Sequence, residues 1–276
     1  MKIAYTGAAL AALTLAASPV AAQSWQSWQG PYVGGYLGYG FQPGDDDEVL
    51  LFDTNLDGSF NDTVRTGAGD DAFAPGFCGG RALGPTPGDR CEDDENGVEY
   101  GVRAGYDWQM GGWVLGVVGE FGRPEISDAV SGFSVTPARY TFVREVDYVA
   151  ALRGRVGYDM GNFLPYVTAG YANGKVQSNY LTSNGANSFT PFESSDNRSG
   201  YQLGAGVETR VGERMTIGLE YLYTRLDDDG YVVRVGPGAA PDTNPFLLVN
   251  ANGTDHIRSD GDFDWHAVRV TAAWRF

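Results

Sequence analysis

The chain has 276 residues, 42% of them hydrophobic, and carries 19 Lys and Arg against 35 Asp and Glu, a formal charge of −16. Such acidity excludes a nucleic-acid-binding protein, because contact with phosphates needs a basic surface. The mean hydropathy of −0.26, with one long apolar run at the N-terminus, excludes a bundle of membrane-spanning helices. The 40 glycines, 16 tyrosines and 14 phenylalanines favour strands and turns over disorder.

The N-terminus has the pattern of a secretory signal peptide. Lys2 provides a positive start, residues 3–18 are apolar or small, and residues 20–22 have the small side chains that cleavage requires. A membrane-anchoring helix is disfavoured because the apolar part is short and rich in alanine. We therefore expect residues 1–22 to be removed on export. Removal takes away Lys2 and no acid, so the mature chain has a formal charge of −17.

Eight segments of the mature chain alternate between apolar and polar residues with period two, as strands with one apolar face do. They are residues 31–41, 98–108, 113–121, 146–159, 163–176, 201–211, 215–224 and 263–276. In 146–159 the apolar face begins at Val146 and Tyr148, and the opposite face carries Arg153 and Arg155.

The connections between these segments are short and long in strict alternation. Turn residues at 109–112, 160–162 and 212–213 make the short ones, whereas 42–97, 124–145, 177–199 and 228–262 are long. This pattern predicts an all-β, eight-stranded, antiparallel up-and-down barrel that spans a membrane. A soluble barrel of the lipocalin type has the same alternation with its apolar face turned inward, so the two faces must be distinguished.

Two features place the apolar face outside and the polar face in the lumen. First, the polar face carries a nearly balanced set of charges, which a closed lumen holds only when they are paired. The luminal set is Glu99, Arg103, Asp107, Glu120, Arg153, Arg155, Glu208, Arg210, Glu220 and Arg269. Second, aromatic residues at both ends of the apolar face match the girdles at lipid–water boundaries. They are Trp108, Trp113, Tyr158, Phe163 and Trp274 near the short turns, and Phe41, Tyr100, Phe121, Tyr148 and Tyr223 near the long connections.

The last strand ends on an aromatic residue and alternates with period two through Val268, Val270, Ala272, Trp274 and Phe276. This ending resembles the terminal signal that outer-membrane barrels present to their assembly machinery. Together with the export signal and eight strands, it makes residues 30–276 similar to the small outer-membrane β-barrel superfamily (the OmpA-like transmembrane domain, OmpX-like and "porin family" surface proteins of Gram-negative bacteria). The resemblance implies a location in the outer membrane among lipids and lipopolysaccharide, with periplasmic turns and extracellular loops. Residues 23–29, with Trp25 and Trp28, form either a short periplasmic lead or an interfacial anchor.

The first long connection, 42–97, is strongly acidic, with 14 acids against three arginines. Within it Asp53, Asn55 and Asp57 precede a glycine as in the first half of a calcium loop, but Val64 occupies the position of the closing glutamate. We weigh a solvated acidic loop against weak calcium binding here; no other cofactor is expected. Cys78 and Cys91 lie in an exported context, which favours a disulfide over metal binding by two thiols.

The sequence favours a structural or surface-interaction role over enzymatic activity. His256 and His266 have no serine motif beside them, so no hydrolase is expected. A narrow porin-like channel for small solutes is the alternative, although eight strands leave an interior that side chains fill.

Overall fold

A computed structural model describes residues 27–42, 47–192, 197–228 and 230–276. The predicted signal peptide, residues 1–22, lies outside the described residues, as do 23–26, 43–46, 193–196 and 229. Within the described ranges no helix is long and apolar enough to cross a membrane.

Sixteen strands account for the regular structure of the described residues. In chain order they are β1 (Gly30–Phe41), β2 (Leu50–Asp53), β3 (Gly76–Gly79), β4 (Arg81–Ala82), β5 (Cys91–Glu92), β6 (Gly97–Met110), β7 (Trp113–Pro124), β8 (Ser127–Ser134), β9 (Ala138–Tyr158), β10 (Phe163–Thr182), β11 (Ser188–Phe192), β12 (Asn197–Val211), β13 (Met215–Asp227), β14 (Val232–Gly236), β15 (Thr254–Arg258) and β16 (Asp262–Arg275). Two single turns of 3-10 helix, Pro87–Asp89 and Pro245–Leu247, interrupt them.

Eight of these strands close into a barrel. The order is β1, β6, β7, β9, β10, β12, β13 and β16, which pairs back to β1, and every pair is antiparallel. The predicted eight-stranded barrel is therefore confirmed. Each short turn contains a glycine at positive φ, for example Gly111 at 63° and Gly212 at 67°, a conformation that side chains disfavour.

The barrel is apolar outside and polar inside. Val102 and Leu152 are more than 60% exposed on the outer face, whereas Arg153 is 1% exposed in the lumen. A soluble barrel has the reverse arrangement, so the structure excludes that alternative. The residues of the short-turn girdle are all exposed outward; they are Trp108, Trp113, Tyr158, Phe163 and Trp274.

One strand changes its inward face part of the way along. In β9 the pairing with β10 shifts between Lys175 and Val176, so that Lys175 lies opposite Tyr148 and Val176 opposite Val146. This bulge at Asp147 adds one residue, which reverses the alternation beyond it. The prediction that Val146 lies on the lipid face is therefore wrong, because Val146 is 3% exposed and packs inside.

The long connections are not solvated loops. Strands β9 and β10 continue well beyond the predicted segments 146–159 and 163–176, and β8 and β3 extend the sheet beside β9. A second sheet, in the order β11, β14, β15 and β2, lies at the same end. We call this part the cap; it comprises β2–β5, β8, β11, β14, β15, the distal halves of β9 and β10, and the described residues of the long connections between them.

The cap has its own hydrophobic core, built from three of the long connections, and Tyr180 and Phe189 of the fourth, 177–199, pack against it. Phe73 packs between Phe52 and Tyr140, with ring centroids 4.5 and 5.2 Å away. The core residues are Leu50, Phe52, Val64, Ala72, Phe73, Val130, Ala138, Tyr140, Phe142, Val233, Val235 and Phe246. Burial of these side chains gives the cap a driving force to fold that a hydrated loop lacks.

The predicted disulfide between Cys78 and Cys91 is confirmed, with Cα atoms 6.6 Å apart. It joins β3 to β5, and the two cysteines are 13 positions apart in the sequence. We expect the double variant Cys78→Ser/Cys91→Ser to lose up to about 3 kcal/mol of cap stability, because an open chain has more freedom when unfolded. The rate of limited proteolysis between residues 79 and 90 reports this loss of cap stability. Equal cleavage rates with and without the bond would contradict it.

Candidate functional site

The centre of the lumen holds a layer of three arginines and three glutamates. Arg153 Nη2 lies 2.6 Å from Glu120 Oε1 and 3.1 Å from Glu220 Oε1. Arg103 reaches the same two glutamates at 3.3 and 3.7 Å, and Arg269 pairs with Glu99 and lies 3.1 Å from Glu120. All six residues are at most 8% exposed. The layer is therefore electrically balanced, as buried charges require.

A second charged layer lies toward the short turns. Arg155 pairs with Asp107 and with Glu208, whose Oε1 lies 2.6 Å from Nη1. Arg275 pairs with Asp107 and lies 3.9 Å from Glu208, which balances two acids with two arginines. Arg275 was not among the residues predicted to face the lumen. Arg275 lies six residues after Arg269 on β16, so the alternation of that strand places both side chains on the luminal face and could have predicted its role.

Arg210 does not join these layers. Its Nη1 donates to the Gly161 carbonyl at 3.1 Å, and its guanidinium lies 4.2 Å from the centroid of Trp28. The prediction that Arg210 belongs to the luminal network is wrong because its position, one residue before the end of β12, lies beside the short turn.

Trp28 closes the short-turn end of the lumen. It is 0% exposed and packs with Val114 and Leu164. Its indole N–H donates to Asp159 Oδ1 at 3.1 Å, and its backbone N–H to Gln109 Oε1 at 2.7 Å. Trp28 is part of the barrel interior, so it is neither a periplasmic lead nor an interfacial anchor, the two roles predicted for residues 23–29.

An apolar cluster fills the opposite end of the lumen. Phe263 and Trp265 are 0% and 1% exposed, with ring centroids 5.8 Å apart. The cluster comprises Ile126, Val146, Val149, Ala172, Val176, Leu226, Phe263, Trp265 and Ala267. Side chains therefore occupy the lumen from the short turns to the base of the cap, as the size of an eight-stranded barrel allows.

Ion pairs that the sequence did not predict link strands of the cap to one another and to Asp228, which follows the barrel strand β13. Asp128 lies between Arg144, at 2.5 Å, and Arg258, at 2.8 Å. Arg258 also pairs with Glu48 at 2.6 Å, and Arg144 lies 3.5 Å from Asp228. Burial raises the pKa of Glu48, against the opposing pull of Arg258. No sequence spacing predicts a pair such as Glu48 and Arg258, which are 210 residues apart.

The turn proposed for calcium has its oxygens engaged by the backbone. Asp53 accepts from the Asp57 and Gly58 N–H groups at 3.1 and 2.7 Å, and Asn55 Oδ1 accepts from the Asp57 N–H at 2.9 Å. Asp57 Oδ1 accepts from Ser59 N–H at 2.8 Å. No group of three or more His, Cys, Asp or Glu side chains suited to a metal occurs among the described residues. Calcium binding here stays a prediction.

The two histidines lie in unrelated environments. His266 sits on the outer face, where Tyr221 Oη lies 2.6 Å from its Nδ1 and Phe41 stacks at 5.5 Å. His256 is 1% exposed in the cap, with Nε2 3.0 Å from Tyr180 Oη. Neither is hydrogen-bonded to a serine or a carboxylate in the part of the chain that the structure describes.

Burial makes His256 a source of pH-dependent cap stability. Desolvation lowers the pKa of His256 from 6.5 to about 3, so the unfolded cap binds a proton first as the pH falls. Stability is therefore lost below pH 6.5, by about 2 kcal/mol at pH 5. We expect His256→Gln to remove this slope in cap unfolding followed by proteolysis. Glu48 titrates in both the wild type and His256→Gln, so the difference between their pH profiles of cap stability isolates the contribution of His256. Parallel pH profiles would contradict the prediction.

Comparisons with known proteins agree with this geometry. Residues 8–276 match the family model described as outer membrane protein beta-barrel domain. A 22 kDa outer membrane protein of Rhizobium leguminosarum bv. viciae is 38% identical over 47% of this chain, and the match spans 53% of that protein's length. A 31 kDa outer-membrane immunogenic protein of Brucella melitensis is 30% identical over 55% of this chain and 67% of its own. A 25 kDa outer-membrane immunogenic protein of Brucella ovis is 27% identical over 80% of this chain and 82% of that protein's length.

Among solved structures, the outer membrane protein OprG of Pseudomonas aeruginosa aligns with a TM-score of 0.48 and 14% identity, over 92% of this chain and 99% of that one. Ail of Yersinia pestis aligns with a TM-score of 0.32 and 12% identity, over 90% of this chain and 99% of the Ail chain. The family match, which covers nearly the whole chain, carries the assignment. The protein is located in the outer membrane and belongs to the outer membrane protein beta-barrel domain family.

Proposed function

We propose that the protein is a closed outer-membrane scaffold with a structural and surface-interaction role, which displays the cap outside the cell. The observation that carries this proposal is the filled lumen. Two balanced charged layers and an apolar cluster occupy it, and a conducting path would have to separate buried ion pairs. An enzyme is not proposed, since among the described residues neither histidine is hydrogen-bonded to a serine or a carboxylate.

The surface available for interaction is the acidic exterior of the cap. Glu92, Asp93 and Glu95 are exposed there, close to the disulfide. Such a surface favours a cationic partner, or lipopolysaccharide bridged through divalent cations. On the membrane-facing side, the outward row that ends at Trp274 and Phe276 is proposed to be read by the outer-membrane assembly machinery.

Conductance in planar bilayers tests the proposal. We expect no stable conductance steps from purified protein that is folded, as judged by compact migration of the unheated sample on a denaturing gel. Reproducible single-channel steps from such folded protein would support a narrow porin-like channel instead. Loss of compact migration in the Trp274→Ser/Phe276→Ser variant on expression, with Val249→Ser in the cap as control, would support the assembly role.

A further inference from the structure

A cavity opens on the cap, away from the barrel and its charged layers. Its volume is about 260 Å³, and its walls come from the start of β9, the segment after β10 and the 3-10 turn at Pro245–Leu247. The rings of Phe73, Tyr140 and Phe246 form its apolar side, with centroids 5.2–5.9 Å apart. A cavity of roughly 150 Å³ lined by apolar side chains holds benzene, so this one has room for a substituted ring.

Among the described residues, those that line this cavity include no charged one, in a chain whose formal charge is −16. The polar side chains nearby are also largely paired with one another. Asn184 Nδ2 donates to Tyr140 Oη and to Asn187 Oδ1, each at 3.0 Å, and Asn184 Oδ1 accepts from the Ala186 N–H at 2.9 Å. A charged ligand would therefore be desolvated without a counter-charge, whereas an uncharged apolar one would not.

One donor in the cavity, the Tyr140 hydroxyl, has no acceptor at a normal hydrogen-bond distance among the residues that the structure describes. The Tyr140 hydroxyl accepts from Asn184, and its remaining neighbour, Ser134 Oγ, is 3.5 Å away. Ser134 donates its own hydrogen to the Thr136 carbonyl at 2.6 Å. An O–H···O bond is normally 2.5–3.0 Å, so the Tyr140 hydrogen is available to a ligand. Burial raises the pKa of Tyr140 above its ordinary value of 10, which keeps that hydrogen in place at neutral pH.

We propose that this cavity binds one small, uncharged molecule that has an apolar ring and a single hydrogen-bond acceptor. The ring packs against Phe73 and Phe246, and the acceptor takes the hydrogen of Tyr140. The site lies in the cap, so ligand reaches it from outside the cell without entering the lumen.

Three probes of matched size test the chemistry on the full chain in lipid nanodiscs. Acetophenone has a ring and a carbonyl acceptor, α-methylstyrene lacks the acceptor, and benzoate carries a charge. Binding is measured by ligand-detected NMR, with signal from empty nanodiscs subtracted. We expect saturable binding of acetophenone, with α-methylstyrene roughly three- to tenfold weaker for the lost hydrogen bond. Benzoate should be at least about tenfold weaker because its charge is unpaired.

Two variants and one control place binding in the cavity. Gly185 lies at its wall, and a Cβ there meets nothing within 4 Å, so Gly185→Leu adds a bulky side chain at this wall at little cost to the fold. Gly67 is equally open but lies elsewhere on the cap, which makes Gly67→Leu the matched control. We expect Gly185→Leu to abolish acetophenone binding and Gly67→Leu to leave it unchanged. Tyr140→Phe should make acetophenone and α-methylstyrene bind equally.

The proposal is overturned if acetophenone gives no saturable signal, or if benzoate binds as tightly. It is also overturned if folded Gly185→Leu binds like the wild type. Should limited proteolysis show that Gly185→Leu does not fold, the comparison of the two probes on Tyr140→Phe decides, because an unchanged preference for acetophenone would rule out this site.

Discussion

Replacing Glu220 with glutamine is expected to lower the free energy of unfolding by about 3–5 kcal/mol, because it leaves a buried arginine without its counter-charge. Glu220 lies 3.1 Å from Arg153 and 3.7 Å from Arg103, and it accepts from the Tyr166 hydroxyl at 2.8 Å. The variant layer has three arginines and two glutamates. Urea unfolding in lipid vesicles, followed by intrinsic fluorescence and by gel migration, measures the loss.

Two further variants make this result specific. Glu213→Gln removes the same charge from an exposed turn and should change the stability by less than about 0.5 kcal/mol. The double variant Arg103→Met/Glu220→Leu removes one charge of each sign and should regain most of the stability, since paired removal of buried ions is often near neutral. A loss in Glu220→Gln no larger than that in Glu213→Gln would show that the layer does not stabilise the barrel.

Replacing Phe142 with alanine should unfold the cap while leaving the barrel closed. Phe142 is 2% exposed and packs against Tyr180, Tyr231 and His256 with ring centroids 5.1–5.9 Å apart. Loss of a buried phenylalanine costs about 3–5 kcal/mol, which is comparable to the whole stability of a small packed unit. Limited proteolysis should cut the variant within the cap, while the unheated barrel still migrates as a compact species.

Val249→Ala is the matched control, because Val249 also lies in the cap but is 63% exposed. Its proteolysis should match that of the wild type. Simultaneous loss of cap and barrel in Phe142→Ala would contradict the prediction, since it would mean that the two parts unfold as one cooperative unit.

The barrel could be predicted because its determinants are local. Alternation with period two assigned Arg153 and Arg155 to the lumen and Val102 and Leu152 to the lipid face, as the structure shows. The same reasoning failed at Val146, where the bulge at Asp147 reverses the alternation. A bulge depends on how a strand pairs with its neighbour, and β9 alone carries no sign of it.

The cap could not be predicted because its strands are short and its partners are distant. Strand β2 has four residues and pairs with β15, some 200 positions further along the chain. Acidic composition suggested a solvated loop, yet Asp53 is 1% exposed and Glu48 is 5% exposed beside Arg258. Composition reflects the average environment of a segment. The few residues whose burial stabilises the folded cap are too few to change that average.

The sequence by itself determined the eight spanning strands, the direction of each barrel face and the pairing of Cys78 with Cys91, because each depends on near neighbours in the chain; the export signal stays a prediction. Only the tertiary structure decided that Trp28 seals the lumen, that Arg275 rather than Arg210 completes the second charged layer, and that the four long connections fold into one cap. These features depend on side chains that barrel closure brings together from distant strands, and their energy comes from burial, which has no local signature in the sequence.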